Sequence, residues 1–334
     1  MLVIMQTAPT EEQCARVETA IRDMGFTPLR VPGADRTAIC VTGNRGPVDP
    51  SFLIRLPGVA RCIPVTKPFK LVSREVHPAE TVVDIGGVPV GGPEPIVIAG
   101  PGSVETEART LDIARAVKKA GAHAFRARLW AERVGPYHFG GVGDEGLHTL
   151  DRVREETGLP VITEVIDPRS AEQVAERVDC VQIAARHMEN EALLDVARGL
   201  GKPVIVERAP SASVEEWLMA AESLLAREKR DVILCERGIR TGGQRRTLLD
   251  LHVVPVVRRM THLPVLVDPS RAVAERDRVR PLARAALGAG ASGLLLEVHT
   301  HPDTAYTDPR QTVDIPTFEG IQRDLVRIGG LEAI

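Results

Sequence analysis

From Pro95 onward, short apolar runs alternate with stretches of helical spacing, and they do so eight times. The runs are Ile96–Ala99, Ala124–Arg128, Val161–Val165, Cys180–Ala184, Val204–Glu207, Val232–Cys235, Val265–Val267 and Gly293–Val298. Most are continuous in apolar residues rather than alternating, as parallel strands buried on both faces must be. Between them lie Glu107–Ala120, Gly143–Thr157, Ser170–Arg177, Asn190–Gly199, Val214–Ala226, Leu248–Thr261 and Asp277–Gly288, with apolar residues at helical spacing. Pro160, Pro203 and Pro264 each open a strand, the first two just after a Gly suited to ending a helix. Eight such units predict a (β/α)8 TIM barrel over residues 95–334. An open doubly wound sheet would call for a GxGxxG-type first turn, whereas the first turn here reads Gly100-Pro101-Gly102-Ser103.

Residues 1–65 read as a separate small α+β unit. Leu2–Met5, Thr27–Val31, Thr37–Thr42 and Ala60–Val65 are strand-like, and Thr10–Met24 and Pro50–Leu56 are helical. The order βαββαβ is the ferredoxin-like plan, a frequent ligand-binding module and equally a plain packing or oligomerisation domain. Residues 66–94 form a Gly- and Pro-rich connector. Within it, Thr81–Ile85 and Val88–Val90 flank Gly86-Gly87, which predicts a hairpin capping the bottom of the barrel.

Bulk properties narrow the partners. A net charge of −3 argues against nucleic acid. No run of 18 apolar residues and no signal-like start occur, so neither a membrane span nor export is expected. Cys14, Cys40, Cys62, Cys180 and Cys235 are odd in number and lack CxxC spacing, which suits reduced thiols in a cytoplasmic protein.

The carboxyl ends of barrel strands converge on one mouth, where such folds carry their chemistry. In order, these ends bring Ser103; Arg126 and Arg128; Glu164; Arg186; Glu207 and Arg208; Glu236 and Arg237; Asp268 and Arg271; Glu297 and His299, with Asp308 beyond. A solvated surface run would not recur in phase with the strands. Structural ion pairing suits some of them, such as Glu164 and Asp268. The arginines as a set point to an anionic small molecule, since guanidinium grips carboxylate and phosphate in bidentate fashion.

Several segments then carry a resemblance: KPFKLVSRE (67–75), AGPGSVE (99–105), GPYHFGGVG (135–143), QIAARHMEN (182–190), ILCERGIRT (233–241), LPVLVDPS (263–270) and EVHTHPDTAYTD (297–308). In order and over essentially the whole chain, they resemble type I 3-deoxy-D-arabino-heptulosonate 7-phosphate (DAHP) synthase. The likeness is to the subgroup similar to 3-deoxy-manno-octulosonate 8-phosphate synthase, in the form with an N-terminal ferredoxin-like domain. It implies condensation of phosphoenolpyruvate with erythrose 4-phosphate, a homotetramer, an N-terminal sensor of aromatic amino acids, and a divalent metal held by Cys, His, Glu and Asp.

Position by position, this chain departs from that pattern. The metal Cys corresponds to Gly102 and the metal His to Arg271, while Glu297 and Asp308 remain. The lysine of the KPRTS loop is Ala131, the lysine before Arg on strand five is Glu207, and the Gly-Gly after strand two is Ala127-Arg128. Thirty-six arginines against six lysines could excuse a Lys→Arg exchange, never Lys→Ala or Lys→Glu. A carboxylate about 4 Å from a phosphate costs roughly 4 kcal/mol per charge pair at an effective dielectric near 20.

The expectation is therefore a metal-independent enzyme that has lost the ordinary condensation. Arg271 would replace the metal's charge, with no metal and no organic cofactor. The site would take a carboxylate-bearing anion resembling chorismate or prephenate. Glu207, Glu297, Glu132 and His138 are the candidate acids and bases, His138 being equally suited to packing in its loop. Arg126, Arg128, Arg133, Arg186, Arg208, Arg237, Arg271 and Ser103 are the candidate ligand contacts. Two alternatives stay open: a non-catalytic regulator of a partner synthase or chorismate mutase, and an active DAHP synthase. A homodimer or homotetramer is expected in each case.

Overall fold

The structure is a computed structural model that describes residues 1–32, 36–44, 48–63, 68–131, 135, 137–226, 231–241, 247–273 and 275–329. The chain divides into two compact units, residues 1–79 and 80–334.

In the first unit, β1 (Leu2–Thr7), α1 (Glu11–Asp23), β2 (Thr27–Pro32), β3 (Arg36–Thr42) and β4 (Val59–Ile63) build an antiparallel sheet of order β2-β3-β1-β4. Thr10 opens α1 with a capping box: its hydroxyl accepts from the Gln13 amide while the Gln13 side chain accepts from the Thr10 amide. Cys14, Val17, Ala20 and Ile21 line one face of α1 and pack on Val3, Met5, Ile39 and Val41. The residues between these on the strands, Leu2, Ile4, Ala38 and Cys40, point to the other face and meet Val76. The second predicted helix, Pro50–Leu56, is only a 3-10 turn over Leu53–Arg55. Leu53 is the one buried residue in that turn, too little apolar surface to hold further helical turns.

The second unit starts with the predicted hairpin, β5 (Val83–Ile85) and β6 (Val88–Val90), turning through Gly86 and Gly87, both at positive φ. Val83, Ile85 and Val90 join Ile96, Ile98, Ala124, Ile162, Cys180, Ile205, Ile233, Leu266 and Leu295 in one buried cluster. The hairpin is thus the floor of the barrel. Above it run β7 (Ile96–Gly100), α2 (Glu107–Lys119), β8 (Ala124–Arg126), α3 (Gly146–Thr157), β9 (Val161–Glu164), α4 (Ala171–Arg177), β10 (Cys180–Ile183), α5 (Glu191–Ala197), β11 (Val204–Glu207), α6 (Val214–Leu225) and β12 (Val232–Glu236). A two-residue ribbon, β13 (Ile239–Arg240) with β14 (Thr247–Leu248), precedes α7 (Val253–Met260), β15 (Val265–Val267), α8 (Pro269–Val273), α9 (Val279–Gly288), β16 (Gly293–Glu297) and α10 (Ile315–Gly329). The eight barrel strands are parallel and close in chain order, with Leu295 beside Ile98 at the seam.

Tertiary pairing moved some predicted boundaries. Thr247–Leu248 is taken by the ribbon, so the helix expected from Leu248 begins at Val253. Strand β8 ends at Arg126, and Arg128 continues only as an isolated bridge to Ser103. Helices α8 and α10 were not foreseen. Among the described residues, no helix is long and apolar enough to cross a membrane.

Candidate active site at the barrel mouth

Arg126 ends strand β8 and Arg128 follows two residues on, in the bridge to Ser103, so the two share the parity of an extended chain. Arg126 and Arg128 are fully buried there. Arg126 donates from Nε to Gln182 Oε1 (3.1 Å) and from Nη2 to Glu164 Oε1 (3.2 Å). Arg128 donates from Nε to the Gly102 carbonyl and from Nη2 to Asp308 Oδ2 (3.3 Å). Arg271, on the first turn of α8, donates from Nη1 to the same Asp308 oxygen at 2.7 Å. Asp308 sits at φ +52°, a left-handed backbone that Asp tolerates better than most residues. Its carbonyl, accepting from the Gln311 and Thr312 amides, holds it there.

Glu297 ends β16 and is wholly buried. Gln311 Nε2 donates to its Oε2 at 2.6 Å. Its Oε1 lies 3.8 Å from Arg126 Nη1, 3.5 Å from Arg128 Nη2 and 3.7 Å from Arg271 Nε. One carboxylate oxygen therefore sits amid three guanidinium groups without a hydrogen bond from any of them. Arg126 Nη1 and Arg128 Nη1 also have no hydrogen-bond acceptor among the described residues. Burial, with the Arg271 charge next, lowers the Arg128 pKa.

Around this centre lie three more charged groups. Glu164 takes Arg186 Nη2 at 3.0 Å as well as Arg126. Glu207 accepts from Gln182 Nε2 and from the Ala185 amide (2.9 Å), with Arg237 Nε 3.5 Å away. Burial pushes the Glu207 carboxyl up, but Arg237, Arg126, Arg271 and the Ala185 amide outweigh it, so the net displacement is downward. Asp268 accepts from the Arg271 amide at 3.0 Å. Burial, then the Glu297 charge, pushes its carboxyl up to about 7.

The candidates fall into distinct places. Arg126, Arg128, Arg186, Arg237, Arg271, Glu207 and Glu297 belong to this connected cluster, and Ser103 meets Thr307 Oγ1 at 3.3 Å on its edge. Arg208 does not: it binds Glu236 (3.1 Å), Asp250 (3.1 Å) and the Ala212 carbonyl (3.0 Å), and ties the β11 and β12 ends together. His138 is exposed, and no contact among the described residues links it to the cluster. Glu132 and Arg133 lie outside the described residues. His299 is a support: its Nδ1 accepts from the His301 amide (2.7 Å) and Nε2 stands 3.5 Å from Glu105. Gln182 and Gln311, which orient three of the carboxylates and arginines above, went unnoticed in the sequence because neutral amides carry no charge pattern to read.

The metal implied by the resemblance does not fit these residues. A Cβ on Gly102 would lie 2.4 Å from Thr307 Oγ1 and 3.3 Å from Arg128 Nη2, so the space of a cysteine is already filled. Arg271 stands for the histidine and carries donors only. Glu297 and Asp308 each face two or more guanidinium groups. At about 4 Å and an effective dielectric near 20, each guanidinium repels a divalent ion by roughly 8 kcal/mol. No group of three or more His, Cys, Asp and Glu among the described residues could hold an ion.

Comparison with known proteins covers the whole chain. Residues 76–328 match the DAHP synthetase I family, and residues 1–67 match the DAHP synthase ferredoxin-like domain. Phospho-2-dehydro-3-deoxyheptonate aldolase of Thermotoga maritima is 36% identical over 329 residues, spanning 98% of this chain and 97% of the relative. A 2-dehydro-3-deoxyphosphooctonate aldolase of Bradyrhizobium diazoefficiens is 30% identical over 272 residues, 76% of this chain and 96% of the relative. The crystal structure of the Thermotoga maritima enzyme superposes with a TM-score of 0.79 at 34% identity, covering 100% of this chain and 98% of that one.

These likenesses overturn the expectation of a lost condensation and a chorismate- or prephenate-like substrate. The relative matched over nearly the full length of both chains is a phospho-2-dehydro-3-deoxyheptonate aldolase, and a likeness through both units points to that reaction class rather than to its loss. The Glu207 carboxylate that stands in place of the strand-five lysine accepts from Gln182 and from the Ala185 amide and lies 3.5 Å from Arg237 Nε, so its charge is already compensated within the chain.

Proposed function

Because the chain belongs to the DAHP synthetase I family, we propose that it condenses phosphoenolpyruvate with erythrose 4-phosphate to a seven-carbon 3-deoxy-2-keto sugar phosphate. What supports this reading above all is the likeness to the Thermotoga maritima enzyme over nearly the full length of both chains. The arginine cluster is consistent with it, since both reactants are multiply charged anions.

The chemistry asks little of the protein beyond charge and placement. C3 of the enolpyruvate forms the new carbon–carbon bond to the aldehyde carbon, and the carbonyl electron pair passes to the aldehyde oxygen. Water adds at C2 and its proton goes to that oxygen. Loss of inorganic phosphate then leaves the ketone, so one water is consumed per turnover. Arg126, Arg186 and Arg237 are assigned to the carboxylate and phosphate of phosphoenolpyruvate, and Glu164 and Glu207 hold them in place. Glu297, with Gln311 on its other oxygen, orients the three guanidinium groups around it. A homo-oligomer in the cytoplasm accompanies this reading, to be checked by light scattering.

The test is release of inorganic phosphate from phosphoenolpyruvate with erythrose 4-phosphate, with the product identified by mass. Turnover that requires erythrose 4-phosphate is expected. Turnover only with a five-carbon aldose phosphate would move the protein to the other aldolase of its relatives, and none with either would reject the reading.

A further inference from the structure

Gly102 and Arg128 are a complementary pair. Without a side chain at 102, the Arg128 guanidinium enters the space beside Glu297, donates to the Gly102 carbonyl and meets Asp308. Arg271 closes the other side, sharing the same Asp308 oxygen. The two acidic groups left at the implied metal site are thus answered by two fixed cations of the chain itself.

We infer that Arg128 and Arg271 together take the place of a divalent ion in this barrel, and that the condensation proceeds with their charge alone at the aldehyde oxygen. The inference rests on the condensation proposed above. As the carbon–carbon bond forms, the aldehyde oxygen becomes negative. Arg128 Nη1, a buried N–H group with no acceptor among the described residues, is the donor poised to receive it. Arg271 adds charge and keeps Asp308 from claiming Arg128 fully. Preorganised guanidinium groups suit this task because they need no reorganisation as charge develops.

The experiment uses the full-length protein, incubated with excess Mn²⁺ or Zn²⁺, desalted, and analysed for metal by mass spectrometry. Far less than one equivalent is expected in the wild type. The variant Gly102→Cys/Thr307→Ala/Arg128→Gly/Arg271→His, which restores a Cys-His-Glu-Asp set and clears its space, is expected to retain close to one equivalent. A stoichiometric ion in the wild type that is released by Glu297→Gln or Asp308→Asn overturns the inference, whether or not the fourfold variant folds. In the phosphate-release assay, EDTA is expected to leave turnover unchanged, and loss restored by added metal overturns it likewise. Absence of all turnover rejects only the condensation, because the metal content is read separately.

Discussion

Glu297 shows most clearly what one residue does here. Its charge is balanced by three arginines at 3.5–3.8 Å, none hydrogen-bonded to Oε1, so the cluster is held by summed field rather than by tight pairs. Removing one member leaves the others uncompensated. Arg271→Ala is expected to cut kcat on the order of 100-fold, as loss of one preorganised donor typically does, with circular dichroism unchanged. Arg237→Ala strands the buried Glu207 carboxylate and is expected to cost about 3 kcal/mol in urea unfolding. Asp268 gives a pH signature. Its folded pKa of about 7 exceeds the roughly 3.9 of an unfolded Asp, so the folded chain holds a proton that the unfolded chain releases. Stability from this group therefore falls as pH rises from about 4 to about 7. Asp268→Asn keeps the acceptor for the Arg271 amide and removes the titration. The urea midpoint of wild type should drop relative to this variant across that window; parallel curves would rule the account out.

At the scale of elements, the hairpin β5–β6 and the helix caps carry the local order. Ile85 is fully buried at the barrel floor, and Ile85→Ala is expected to destabilise by about 2–5 kcal/mol, measured by denaturant unfolding of the full chain. Ser213 caps α6 in a box with Glu216; Ser213→Ala should cost about 1 kcal/mol. The hairpin and the strands were readable because their signals are local: Gly86-Gly87 for the turn and unbroken apolar runs for the strands. The ribbon Ile239–Arg240 with Thr247–Leu248 was not, since its two dipeptides are apart in the chain and neither has a period.

For the whole molecule, the two units each own a core: Val3, Val17 and Ile39 in the first, Ile98, Ile205 and Leu295 in the second. Residues 80–334 alone are therefore expected to unfold in a single cooperative transition by circular dichroism and to keep the condensation proposed above. A fragment without such a transition would show that this unit's own core does not suffice.

Order and spacing in the chain determined the barrel, the small α+β unit before it and the floor hairpin, because apolar periodicity and turn residues act within a few positions of each other. They also placed Arg126, Arg128, Arg271, Glu297 and Asp308 at one mouth, through the rule that parallel strand ends converge. Only the tertiary structure decided which charges neutralise which: that Glu207 is answered by Arg237, that Arg208 is bound to Glu236 and Asp250, and that Arg128 fills the space over Gly102. The physical reason is that Coulomb energy depends on separations of a few ångströms between residues as far apart in the chain as Arg128 and Asp308, and no local pattern encodes those distances.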